Sequence, residues 1–256
     1  MKVEKMVEFS FSRLQLYATC PYRFYLKYIL NKEDKVGVPA LLGKATHTAI
    51  QTILELYQSE EYIDGYACID EAVLVGMMEV GFAKGVKSNQ VEYLLKRAPI
   101  FSFSELKKKQ VKAEIAFSLP FSPFDSEIRL RGYIDYYDGS KIIDWKTNHK
   151  SFNATSNFQL AIYAWAIMET YNLSVVSAEL YFLRFGYASK VTYTRKSVSV
   201  AISWAENLAY KINSILEQAI EYGLEAEEIG SCFPAKSNAN CSHCPFTIEC
   251  FNKHGL

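Results

Sequence analysis

The sequence predicts a mixed α/β protein. Helical spacing of apolar residues in its first third, β-branched and aromatic alternation through its middle, and a long amphipathic stretch after that are the three features that predict it. Ser10 or Ser12 can cap a first helical segment running through RLQLYATCPYRFYLKYIL, with Pro21 as its break or kink. LLGKATHTAIQTILELY repeats the helical period, and helical patches continue over residues 67–109, ending in Lys107, Lys108 and Lys109. The period then changes: QVKAEIAFSL, IRLRGYIDYY, KIIDWKT, SAELYFLRF and KVTYTRKSVSV read as strands. Among them NFQLAIYAWAIMETYN is a helix, and VAISWAENLAYKINSILEQAIEYGL is a second, strongly two-faced one. The last stretch, from about residue 224, is rich in Cys, Asn, Ser and Pro and too short to build its own core, so coordination or covalent chemistry is expected to hold it. A single domain over residues 1–256 is expected: a helical part over about 1–110, a core over about 111–223 and a cysteine-rich tail over about 224–256.

Lys plus Arg and Asp plus Glu both total 28, so no global field draws the chain to nucleic acid or membrane, and an anionic substrate must be met by a local patch. The opening residues lack the apolar run of a secretory leader, and LAIYAWAIM is too short to span a bilayer, which points to a cytoplasmic protein without membrane partners. In that reducing setting six cysteines are not expected to form disulfides, and their spacing matters more than their number. GVPALLGKAT has five residues between Gly37 and Gly43 and an alanine after its lysine, so it fails as a phosphate loop and no ATP site is expected.

GYIDYYDGSKIIDWKT reads as a hairpin turning at Asp138-Gly139. With that turn, Tyr133 faces Asp144 and Asp135 faces Ile142, so Asp135, Asp144 and Lys146 project from one face. The two carboxylates are then diagonal neighbours with backbones roughly 7–8 Å apart. Clustered carboxylates repel unless a cation lies between them, and Mg²⁺ or Mn²⁺ suits such oxygen ligands. Arg129, Arg131, Lys141, Lys150 and Arg184 are candidate phosphate contacts near this site, ahead of the lysine run in ELKKKQ.

GYID, then IIDWKT, then QLAIY resembles the PD-(D/E)XK nuclease superfamily, in particular its RecB-like branch, and the opening FSFSRLQLYATCPYRFYLKYI and the tail extend the resemblance over nearly the whole chain. The resemblance implies a restriction-endonuclease-like fold, a central mixed sheet flanked by helices. It implies that His47, Asp135 and Asp144 are metal ligands, that Lys146 assists the attacking water, and that Gln159 and Tyr163 act as a pair one helical turn apart. Glu114, on the strand before the hairpin, sits where this branch often carries an acid and is expected to be structural or supporting.

Cys241, Cys244 and Cys250 form a close ligand group that needs a fourth partner, and spacing alone does not choose between zinc and iron–sulfur. Relatives of the AddB and CRISPR-associated exonuclease type carry one cysteine in a CPYRF-like motif and three at the C-terminus around a 4Fe-4S cluster, which implies Cys20, Cys241, Cys244 and Cys250 here. Cys232 is a spare candidate, His243 and His254 are the alternatives if the metal is zinc, and Cys68 is expected to be a small buried apolar residue. The resemblance implies a metal-dependent DNA exonuclease acting on single strands or ends in recombination, repair, phage DNA metabolism or CRISPR spacer acquisition, with a helicase or CRISPR adaptation proteins as partners. The competing reading is an inactive iron–sulfur or zinc module that binds DNA and docks to a helicase; the complete set of His47, Asp135, Asp144 and Lys146 argues against it.

Overall fold

The computed structural model describes residues 2–58, 68–102, 111–122 and 125–254. The lysine run Lys107, Lys108 and Lys109 lies outside them. The chain divides into two compact units: Met1–Lys35, Ser118–Gly132 and Val200–Leu256 form one, Val36–Phe117 and Tyr133–Ser199 the other.

In the first unit, strand β1 (Glu8–Ser10) runs parallel to the leading half of strand β3 (Asp125–Tyr137), pairing Phe9 with Leu130. Ser10 then caps helix α1 (Phe11–Thr19), its hydroxyl accepting from Arg13 N–H at 3.3 Å. Helix α2 (Pro21–Phe24) starts at Pro21, where the missing N–H is harmless, and passes into a π turn over Tyr25–Ile29. The buried side chain of Asn213, on helix α7 (Arg195–Glu221), clamps Met6 through its N–H and its carbonyl, both at 2.9 Å. After α7 the tail is held by aromatic packing: Phe233, fully buried, stacks on Phe24 and Tyr25 and meets Tyr17 edge-on. Tyr22 N–H donates to Pro234 O, and Lys32 pairs with Glu249 on helix α8 (Thr247–His254).

The second unit holds a mixed sheet flanked by helices. The end of β3 pairs antiparallel with β4 (Lys141–Lys146), β4 parallel with β5 (Val175–Phe182), and β5 antiparallel with β6 (Tyr187–Thr194). One face, carrying Tyr136, Ile143 and Trp145, packs into a core with helices α3 (Val38–Gln58), α4 (Ile69–Glu79) and α5 (Ser88–Lys96). Cys68 belongs to that core and is 1% exposed. The other face carries Ile142, Asp144 and Lys146 toward helix α6 (Phe158–Tyr171), whose residues Leu160–Met168 are all buried. Strand β2 (Lys112–Ser122) pairs with β3. GVPALLGKAT, rejected as a phosphate loop, leads into the first turns of α3.

Two details depart from the sequence reading. Asp138 accepts from Ser140 N–H, Ser140 Oγ–H and Lys141 N–H, closing the chain around itself and moving the two-residue turn on to Gly139-Ser140. Tyr137 therefore pairs with Ile142 and Tyr136 with Ile143, which sets Asp135 across from Asp144 rather than from Ile142. The side-chain faces are unchanged, because moving a two-residue turn by one position preserves parity. In KVTYTRKSVSV the strand stops at Thr194: Thr194 N–H donates to Ser197 Oγ and Ser197 N–H to Thr194 Oγ1, a reciprocal cap that starts α7 at Arg195.

Candidate active site

β3 and β4 separate just past their two paired positions. Trp145 N–H, which a continuing ladder would give to the main chain of β3, donates instead to Asp135 Oδ2 at 2.8 Å. The same oxygen lies 3.3 Å from His47 Nδ1 on α3. Burial alone would raise the Asp135 pKa, but the His47 ring, the Trp145 N–H and Lys146 outweigh it and hold the carboxyl below its ordinary value. Burial alone would lower that of His47; Asp135, with help from Asp144, outweighs it and pushes His47 up to about 9.

Asp144, 2% exposed, sits beside this pair. Its pKa is raised, first by burial and then by Asp135, against the pull of Lys146. Lys146 Nζ lies 2.6 Å from Asp144 Oδ2 and donates to Gln159 Oε1 at 3.0 Å. Gln159 Nε2 in turn donates to Tyr163 OH at 2.8 Å, the two side chains meeting one turn apart on α6. Tyr163 is buried against the edge of Phe117, and burial followed by the nearby carboxylates holds its phenol neutral well beyond the usual range.

Glu114, expected on the strand before the hairpin as a structural or supporting acid, also meets this group. It lies on β2 with φ of +48°, a left-handed conformation that a non-glycine residue rarely adopts inside a strand. Its carboxylate comes together with His47 and Asp135, ligand atoms of the three lying within 4.8 Å of one another. Burial and then Asp135 raise its pKa. Glu114 thus joins His47 and Asp135, and Asp144 stands next to them with its Oδ2 turned toward Lys146. Asp144 Oδ2 is buried and faces the Lys146 ammonium at 2.6 Å. One histidine nitrogen and carboxylate oxygens on half-buried side chains suit Mg²⁺ or Mn²⁺.

Of the candidate phosphate contacts, three are engaged elsewhere. Arg129 bonds Ser118, Arg131 pairs with Glu8 at 2.8 Å, and Lys141 meets Glu179 at 3.3 Å. Arg184 reaches Thr147 O through Nε at 2.8 Å, and Lys150 is exposed.

In the first unit, Cys20, Cys241, Cys244 and Cys250 line one pocket, and none is in a disulfide. Burial and then the neighbouring sulfurs of Cys20, Cys244 and Cys241 raise the Cys250 pKa. Asn238 N–H points at Cys241 Sγ at 3.3 Å, and Thr247 Oγ1–H bonds the carbonyls of Cys241 and Cys244. Cys232, His243 and His254 do not line the pocket; His243 bonds Ser242, and His254 packs edge-on against Tyr22.

Two curated relatives are each a subunit of an ATP-dependent helicase/deoxyribonuclease. That from Clostridium acetobutylicum is 26% identical over 65% of this chain and 18% of its own length. That from Caldanaerobacter subterraneus subsp. tengcongensis is 28% identical over 66% and 19%. The chain thus spans less than a fifth of either relative. Among solved structures, the crystal structure of SSO0001 aligns over 90% of this chain and 94% of that one, with 12% identity and a TM-score of 0.36. No helix among the described residues is long and apolar enough to cross a membrane. The profile of the PD-(D/E)XK nuclease superfamily, whose members use divalent metals, matches residues 8–251, and the chain belongs to that superfamily.

Proposed function

We propose that this protein hydrolyses DNA phosphodiesters with Mg²⁺ or Mn²⁺, shortening single strands from their ends. The observation that carries the reading is the meeting of His47, Glu114 and Asp135 beside the Asp144–Lys146 pair. His47, Asp135 and Asp144, with Glu114 as a further oxygen donor, would hold the ion. An ion there supplies positive charge at the phosphate and an acidified water near neutral pH.

The remaining work falls to the protein's own groups. Lys146, braced by Asp144 and Gln159, directs its ammonium at the charge that grows on the phosphoryl oxygens. Tyr163, neutral and buried, fixes Gln159 and so keeps Lys146 from swinging out to solvent. Trp145 N–H holds Asp135 in one rotamer. The chemistry needs all of these at once, which is why an inactive DNA-binding module is the poorer reading.

The four-thiol pocket supports a second element of the proposal, a 4Fe-4S cluster on Cys20, Cys241, Cys244 and Cys250 that fixes the tail. Visible absorption of protein purified without oxygen separates it from zinc. The helicase/deoxyribonuclease relatives support a helicase partner. End-labelled linear and circular DNA, single- and double-stranded, tests the activity: linear single strands should be degraded with Mn²⁺ while circular ones persist. Cleavage that survives chelation, or its absence with every metal, would overturn the reading.

A further inference from the structure

An aromatic surface continues sideways from the catalytic lysine. Lys146 is the register partner of Phe182 on β5, and Phe182 of Tyr187 on β6. Register partners project from the same face, so the three side chains form one row on the face that carries Asp144. With strands about 4.8 Å apart, Tyr187 stands only about 10 Å along the sheet from Lys146.

Phe182 is fully buried, yet its two ring neighbours are not. Phe152, 39% exposed, meets it edge-on at 5.2 Å, and Tyr187, 54% exposed, stacks on it at 6.4 Å with planes 16° apart. A buried ring thereby fixes two solvent-facing ones. Leaving two aromatic rings exposed on adjacent segments forgoes apolar burial, and such patches commonly mark binding surfaces.

The charge around the rings is positive. Lys150 lies two residues from Phe152, and Arg184 lies in the β5–β6 turn, tied by its Nε to Thr147 O of the segment that carries both. Among the described residues no carboxylate pairs with either. Exposed rings interleaved with unpaired cations suit a strand whose bases are free to stack and whose phosphates remain outermost; a duplex hides its base faces. The tie from Arg184 to Thr147 also holds the hairpin turn and the β4–α6 segment together, so the two rings keep their spacing without a ligand.

Building on the nuclease reading, we infer that Phe152 and Tyr187 form a stacking ledge. It holds bases next to the scissile phosphate of single-stranded DNA, with Lys150 and Arg184 on its backbone, and it gives the site its preference for single strands. Stacking of this kind accepts every base, so the ledge selects strandedness and not sequence.

The test is binding in Ca²⁺, which takes the oxygen ligands with looser geometry than Mg²⁺. The probes are a fluorescent oligothymidylate, an abasic strand of equal length and a blunt duplex. The variants are Phe152→Leu with Tyr187→Leu, which keeps apolar contact with Phe182 but removes both ring faces, and Tyr187→Phe. The Leu pair should weaken oligothymidylate binding by roughly ten- to hundredfold, leave the abasic strand and the duplex unchanged, and keep the wild-type melting temperature; Tyr187→Phe should bind as wild type. Equal weakening on the abasic strand, or none on oligothymidylate, would overturn the ledge. Should the wild-type protein cleave no DNA, the nuclease reading fails while this comparison of binding still decides the ledge.

Discussion

Gly76→Ala should damage the site from a distance. Gly76 lies on α4 where that helix crosses α3, and a Cβ built there overlaps the carbonyl oxygen of Ala45 and sits 3.3 Å from Ala49 Cβ. Restoring an ordinary carbon–oxygen contact of about 3.3 Å requires the helices to part by on the order of 1 Å. Neither side can yield cheaply, because the obstacle is backbone and both Ala45 and Ala49 are fully buried. Overpacking of this kind costs about 1–3 kcal/mol, and the better helix propensity of alanine returns roughly 1 kcal/mol, so a net loss of up to about 2 kcal/mol is expected. His47 follows Ala45 by two residues on the same helix, 3.3 Å from Asp135, and a displacement of that size at a reacting site can cost on the order of a hundredfold in rate. Urea denaturation should show a lower midpoint with an unchanged slope, and Mn²⁺ binding and DNA cleavage should both weaken. Met78→Ala, on the exposed side of α4, should alter neither. A Gly76→Ala protein as stable as wild type and equally active would refute the close crossing of α3 and α4 and its hold on His47.

Lys146→Ala should lower cleavage by at least about a hundredfold, read in single-turnover assays, and should leave Mn²⁺ bound. His47 without metal keeps its proton up to about pH 9, and an incoming ion must displace it, so Mn²⁺ affinity should rise by up to about tenfold per pH unit from 7 toward 9 and then level off. Calorimetry in two buffers of different ionisation heat should find close to one proton released per ion at pH 7; a flat pH profile contradicts the assignment of His47. If a cluster joins Cys20 to the three tail cysteines, its loop of more than two hundred residues implies stabilisation on the order of 5 kcal/mol. Cys20→Ala should then bleach the protein and open the tail to protease, whereas Cys232→Ala, outside the pocket, should do neither.

What the sequence revealed and what it hid have physical reasons. Long periodic segments such as α6 and the strands of the hairpin were legible because burial on one face enforces a period. The grouping of Asp135, Asp144 and Lys146 on one face survived an error in the turn, since parity decides the face and the turn moved without changing loop length. The turn itself was misread because Asp138 spends its carboxylate on three local donors instead of sitting at a turn corner, a choice that dipeptide preference does not encode. Strand β1, three residues long, carries too little pattern to detect. Arg195 begins a helix inside a β-branched run because Thr194 and Ser197 cap each other. Glu114 was visible as an acid, but its left-handed backbone, which brings its carboxylate to His47 and Asp135, leaves no mark in residue type.

The bond from Trp145 N–H to Asp135 gives the site a reporter of its own. An amide proton that rests on a carboxylate resonates downfield and exchanges slowly; when a cation draws charge from that carboxylate, the signal should move upfield. The indole of Trp145, fixed in the core among Tyr136 and Tyr181, should keep its side-chain N–H resonance unshifted through the same titration. One residue would thus carry both the readout and its internal reference, and a single isotopic label on tryptophan could follow occupancy of the centre in the absence of DNA, before any turnover begins.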